Sequence, residues 1–251
     1  MRIAWERRGE GPPVVLVHGL GYARWGWEPV ADALAERFEV VLLDNRGIGE
    51  SEAPAGPYTA AEMADDVARV LDEAGLGRAH VVGTSLGGMI AQELALRTDR
   101  VERLVLVCTT PGGPNAAAMP EVTARLIAEA ASMEPLVALR RFVENALAPG
   151  APEELVERIL AHRLRTAQAP VAWAAQAAAG ATFDAWDRLP QVRTSTLVLH
   201  GTEDVVVDPA NSTRLVERLP DARLEWFPGC GHLLFWEEPE RFVALVGEFL
   251  S

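Results

Sequence analysis

The chain is expected to be an α/β protein: a mostly parallel sheet with helices on both faces and a helical cap inserted into it. Three observations predict this. Short, uniformly apolar, β-branched runs alternate with helix-period segments, the pattern of strands buried on both faces and joined by right-handed helical crossovers. Each run ends in a loop rich in glycine or polar residues. From residue 111 to residue 188 the strand pattern stops, and Ala-, Leu-, Glu- and Arg-rich segments replace it.

In chain order, Val14-Val15-Leu16-Val17 is the first buried strand and ends in His18-Gly19-Leu20-Gly21; a helix is predicted over Trp27–Phe38. The strand Val40-Val41-Leu42-Leu43 leads into Asp44-Asn45-Arg46-Gly47-Ile48-Gly49-Glu50-Ser51. Thr59 and Glu62 have the T-x-x-E spacing of a capping box, so a helix should begin there and run to about Ala74. Ala79–Val82 is the third strand, Leu86–Arg97 the helix after it, and Arg103–Cys108 the fourth strand. Helices near Pro120–Ser132, Glu134–Leu147, Pro152–Ala167 and Pro170–Ala179 are each entered through or just after a proline suited to a first turn. Strand character returns at Thr196–His200 and Leu224–Phe227, with helices after Asp208-Pro209 and from Pro239 to Leu250. The expected organisation is a core of residues 1–110 and 189–251 and a cap of residues 111–188.

Composition narrows the chemistry. At 251 residues, with 49% hydrophobic and 24% charged residues, the chain can bury one sizeable core. A net charge of −13 without a basic stripe disfavours nucleic acid and anionic membrane surfaces as partners. All 23 basic residues are arginine. The lack of lysine excludes a Walker A loop, a pyridoxal Schiff base and a Ser-Lys pair, each of which needs that amine. Cys108 and Cys230 are too few and too far apart for a disulfide framework or a zinc site and are expected to be free thiols. No apolar leader or run of about 18 apolar residues occurs, so a cytoplasmic protein is expected.

Gly83-Thr84-Ser85-Leu86-Gly87-Gly88 places a serine in a G-x-S-x-G frame between a strand and a helix. Such a turn strains its serine into an exposed position, and the flanking glycines remove colliding side chains. Ligands of an open parallel sheet sit at the carboxyl ends of its strands, and Leu20, Ser85, Asp204 and His232 all follow strands. A serine hydroxyl needs a base to attack a carbonyl, which His232 can supply; Asp204 can orient and stabilise that imidazole, with Glu203 as the alternative acid. The backbone N–H groups of Leu86 and Leu20 are the expected oxyanion donors. Trp173 and Leu233 are the candidate substrate-binding residues. His18, His80, His162 and His200 are expected to be structural or ordinary packing residues, and Asp44 and Arg46 a buried structural pair. The G-x-x-x-G-G spacing does not match a dinucleotide-binding G-x-G-x-x-G.

These segments, His18-Gly19-Leu20-Gly21, Asp44-x-Arg46-Gly47-x-Gly49-x-Ser51, the serine turn, His200-Gly201-x-x-Asp204 and Gly231-His232, resemble the five characteristic motifs of the α/β-hydrolase superfamily in their order. The chain is most similar to its capped serine esterase and lactonase group, which includes 3-oxoadipate enol-lactonases and carboxylesterases. The resemblance implies hydrolysis of a small, largely apolar ester or lactone through an acyl-enzyme, with no cofactor or metal, in a monomer or homodimer. Gly21-Tyr22-Ala23 departs from the G-P-G usual in C–C bond hydrolases, and Gly229-Cys230-Gly231 from the pattern of haloperoxidases. Perhydrolysis, C–C cleavage and ligand reception on a vestigial triad remain the alternatives.

Overall fold

The computed structural model describes all 251 residues. Seven strands form one sheet: β1 (Trp5–Arg8), β2 (Pro13–Val17), β3 (Glu39–Leu43), β4 (Ala79–Thr84), β5 (Val101–Val107), β6 (Thr196–Gly201) and β7 (Ala222–Phe227). Their spatial order is β1-β3-β2-β4-β5-β6-β7, and only β1 runs antiparallel to its neighbour. The order reverses direction between β2 and its neighbours β3 and β4, so loops leaving β2 and β4 lie side by side.

Strand residues alternate between two apolar layers. Val15, Val17, Val41, Val81 and Leu106 face the cluster completed by α2 (Ala60–Glu73), α3 (Leu86–Arg97) and α8 (Ala210–Arg218). Val14, Leu16, Val40, Val82 and Val107 face the opposite cluster, which holds α1 (Glu28–Ala35), α9 (Leu234–Glu237) and α10 (Pro239–Leu250). Helices on both faces explain why these strands read as continuous apolar runs.

Between β5 and β6 lie α4 (Glu121–Ala130), α5 (Pro135–Ala146), α6 (Glu153–Arg165) and α7 (Pro170–Ala181). The chain enters and leaves this insertion beside an isolated antiparallel bridge between Gly112 and Asp184. No helix is long and apolar enough to cross a membrane.

Two local expectations are corrected, and one strand was not anticipated. The first helix begins at Glu28, because Arg24–Trp27 form a 3₁₀ turn, and it ends at Ala35. Trp5–Arg8 is a strand that carries no strand signal of its own; pairing with the apolar β3 gives it that form. Asp44 and Arg46 are buried but do not pair with each other. Arg46 reaches Asp66 on α2 at 2.6 Å, while Asp44 accepts the backbone N–H groups of Arg24 and Glu50 at 2.8 and 2.9 Å.

Candidate active site

Ser85 stands between β4 and α3 with φ 54° and ψ −120°, a conformation that L-residues avoid unless the surroundings impose it. Tight packing imposes it here. A Cβ on Gly83 would lie 2.3 Å from the Gly87 carbonyl oxygen, and one on Gly87 would lie 2.0 Å from that of Val17. Only glycine at both positions lets the turn close against β2.

The loop after β2 lies directly on this serine: a Cβ on Gly19 would stand 2.9 Å from Ser85 Cβ and 3.5 Å from its Oγ. The Leu20 N–H in that loop has no acceptor within the chain. Leu86 is the first residue of α3, where N–H groups have no intrahelical partner. His18 holds the loop as a structural residue. Its Nδ1 accepts the Gly19 N–H at 2.7 Å, and its ring stacks on Tyr22 with centroids 4.6 Å apart. Burial, reinforced by the charges of His232 and Arg163, brings the His18 pKa down to about 3, so this ring is neutral near pH 7.

His232 follows β7, and its Nδ1 lies 2.7 Å from Asp204 Oδ2. Asp204 follows β6 and is buried. Its Oδ1 accepts the N–H groups of Val206 and Val207 at 2.8 and 3.0 Å, and His200 Nε2 stands 3.0 Å from Oδ2. Burial alone would raise this carboxyl's pKa; the charge of His232 and the hydrogen bonds from His200 and His232 outweigh it and hold the group below the usual carboxylate range. Glu203 is exposed and takes no part. His200 is therefore more than a packing residue, and the His-Gly-x-x-Asp spacing was the available signal. Cys108, His200 and Asp204 offer donor atoms within 4.8 Å of one another. The carboxylate and imidazole atoms of that group are already engaged by N–H, hydroxyl and carbonyl partners, which disfavours a cation.

Ser85, His232, Leu20 and Leu86 line one cavity of about 600 Å³, together with the two candidate substrate-binding residues Trp173 and Leu233. Ser85 Oγ makes no hydrogen bond, and apo sites commonly tighten only around substrate. The inserted helices supply Phe142, Arg163, Trp173 and Gln176 to the wall, so the insertion shapes the cavity. Gln176 joins α7 to the core: its Oε1 accepts the Gly21 N–H at 3.3 Å and its Nε2 donates to the Arg46 carbonyl at 2.7 Å. Sequence reasoning missed Tyr22, Arg163 and Gln176, none of which belongs to a motif.

The profile of the alpha/beta hydrolase fold family matches residues 12–239. A pimeloyl-(acyl-carrier protein) methyl ester esterase of Nitrosomonas europaea is 32% identical over 95% of this chain and 96% of its own length. A 2-hydroxy-6-oxononadienedioate/2-hydroxy-6-oxononatrienedioate hydrolase of Burkholderia vietnamiensis is 32% identical over 100% of this chain and 91% of its own. The crystal structure of an enol-lactonase from Burkholderia xenovorans LB400 superposes with a TM-score of 0.86 at 29% identity, covering 99% of this chain and 96% of that one. The chain belongs to the α/β-hydrolase fold family, and esterases and lactonases are among its relatives.

Proposed function

We propose that the chain is a serine hydrolase that cleaves a carboxylic ester or lactone through an acyl-enzyme. The observation that supports this most is the 2.7 Å contact between Asp204 and His232, with His232 lining the same cavity as the strained Ser85. Ser85 Oγ attacks the carbonyl carbon as its proton passes to His232, and the Leu20 and Leu86 N–H groups hold the oxygen that becomes negative. Asp204 keeps the imidazole oriented and stabilises it while charged. Collapse breaks the bond to the alcohol oxygen, which takes the proton from His232. Water then attacks the acyl-enzyme with His232 again as base, releasing the acid and restoring Ser85. One water is consumed, and no other reagent is needed.

The mostly apolar wall fits a small, largely apolar acyl group, with Trp173 and Leu233 as contacts. The proposed organisation is a two-part core, residues 1–110 and 189–251, under a cap of residues 111–188. Ser85→Ala should lower turnover of p-nitrophenyl esters by about three or more orders of magnitude. Full activity in that variant contradicts the assignment. Vinylogous diketones and peroxide with an organic acid, assayed beside esters and lactones, separate C–C cleavage and perhydrolysis; tight binding with negligible turnover of all of them would mark a receptor.

A further inference from the structure

Arg163, on α6, is the one guanidinium in the cavity wall. It reaches the loop that follows β2. A Cβ on Gly21 would stand 3.0 Å from one terminal nitrogen of Arg163 and 3.3 Å from its central carbon. The guanidinium carbon lies 4.8 Å from the Tyr22 ring centroid, and Tyr22 in turn stacks on His18.

No carboxylate answers this charge. On the same helix Arg158 and His162 both engage Glu28, each at 2.6 Å, whereas Arg163 has no Asp or Glu within ion-pairing distance. Asp208, the only carboxylate in the cavity wall, accepts the N–H of Ala210, the first residue of α8, at 2.9 Å. The rest of the lining is mostly apolar. A cation facing such a space is stabilised by an aromatic face, and what its surroundings lack is an anion. A guanidinium fork matches a carboxylate in bidentate fashion. A phosphate dianion would call for a second cation, which this wall does not supply.

We infer that Arg163 recognises a free carboxylate on the substrate. Building on the hydrolase reading above, the preferred substrates are then esters that carry a second, unesterified carboxyl group, with the apolar wall holding the carbons between. Arg163 acts in binding and specificity; the bond-breaking steps are assigned to other residues.

The test compares kcat/KM for mono-p-nitrophenyl glutarate and for p-nitrophenyl pentanoate, which is similar in size and uncharged, in wild type, Arg163→Gln and Arg163→Lys. The ratio of glutarate to pentanoate is expected to fall about tenfold or more in Arg163→Gln, chiefly through KM, and to recover in part in Arg163→Lys. An unchanged ratio in Arg163→Gln with a native circular dichroism spectrum overturns the inference. Should Arg163→Gln fail to fold, the Arg163→Lys ratio decides alone, since a lysine cannot reproduce the bidentate fork. Calorimetric titration of Ser85→Ala with monomethyl glutarate, with and without Arg163→Gln, needs no turnover. Arg163-dependent binding there upholds the carboxylate site even if wild type hydrolyses no ester, in which case the hydrolase reading alone fails. Binding that does not depend on Arg163 overturns the inference.

Discussion

Asp204 is where the most constraints meet. Two backbone N–H groups hold one of its oxygens, and His232 and His200 share the other. Asp204→Asn keeps the side chain's size but removes the charge that stabilises a protonated imidazole. Turnover should fall by about two to four orders of magnitude, with KM little changed. The same residue gives stability a pH dependence. Contacts made only in the folded chain hold the carboxyl below its ordinary range, so its contribution is present above roughly pH 4 and is lost as the pH falls below that. The difference in urea midpoint between wild type and Asp204→Asn should therefore hold from about pH 6 to about pH 4.5 and narrow as the pH is lowered from there towards about pH 2.5; a difference that stays constant or widens over that lower range contradicts the assigned environment.

The elements were legible wherever a local signal decided them. Thr59 caps α2 as the T-x-x-E spacing predicts: its side chain accepts the Glu62 N–H at 3.2 Å, and Glu62 Oε2 accepts the Thr59 N–H at 2.9 Å. Thr59→Ala should cost about 1 kcal/mol of stability in urea denaturation, with no change in KM. The serine turn and the other four motif loops were equally readable, because each needs particular residues at fixed spacing. β1 was not readable. Trp5-Glu6-Arg7-Arg8 is charged and unpatterned, and only pairing with β3 makes it a strand. Long-range contacts were also hidden. His162 on α6 reaches Glu28 on α1 at 2.6 Å and stacks on Trp25, tying the insertion to the core. Nothing local to those residues announces that contact. The same holds for Arg163 and Gln176, whose roles depend on how the inserted helices lie over the sheet.

At the scale of the whole molecule, the sheet separates two apolar layers of 31 and 30 buried residues, and both cysteines belong to the second layer. Burial, with the nearby negative charge of Asp204, raises the Cys108 thiol pKa well above its usual value. Burial, with Glu237 beside it, pushes Cys230 up to about 12. Both thiols should stay protonated and resist iodoacetamide at pH 8 in the folded protein, then react fully in urea; fast labelling of the native protein, read by intact mass, contradicts a closed core. The sheet also brings the ends of β2, β4, β6 and β7 to one edge, which unites residues more than 200 positions apart around a single serine. Reaction with a fluorophosphonate, followed by peptide mapping, tests that claim most directly. One adduct per chain on Ser85, absent in Ser85→Ala and slowed in His232→Ala, is the predicted result; labelling elsewhere, or continued ester turnover by fully labelled protein, would contradict it.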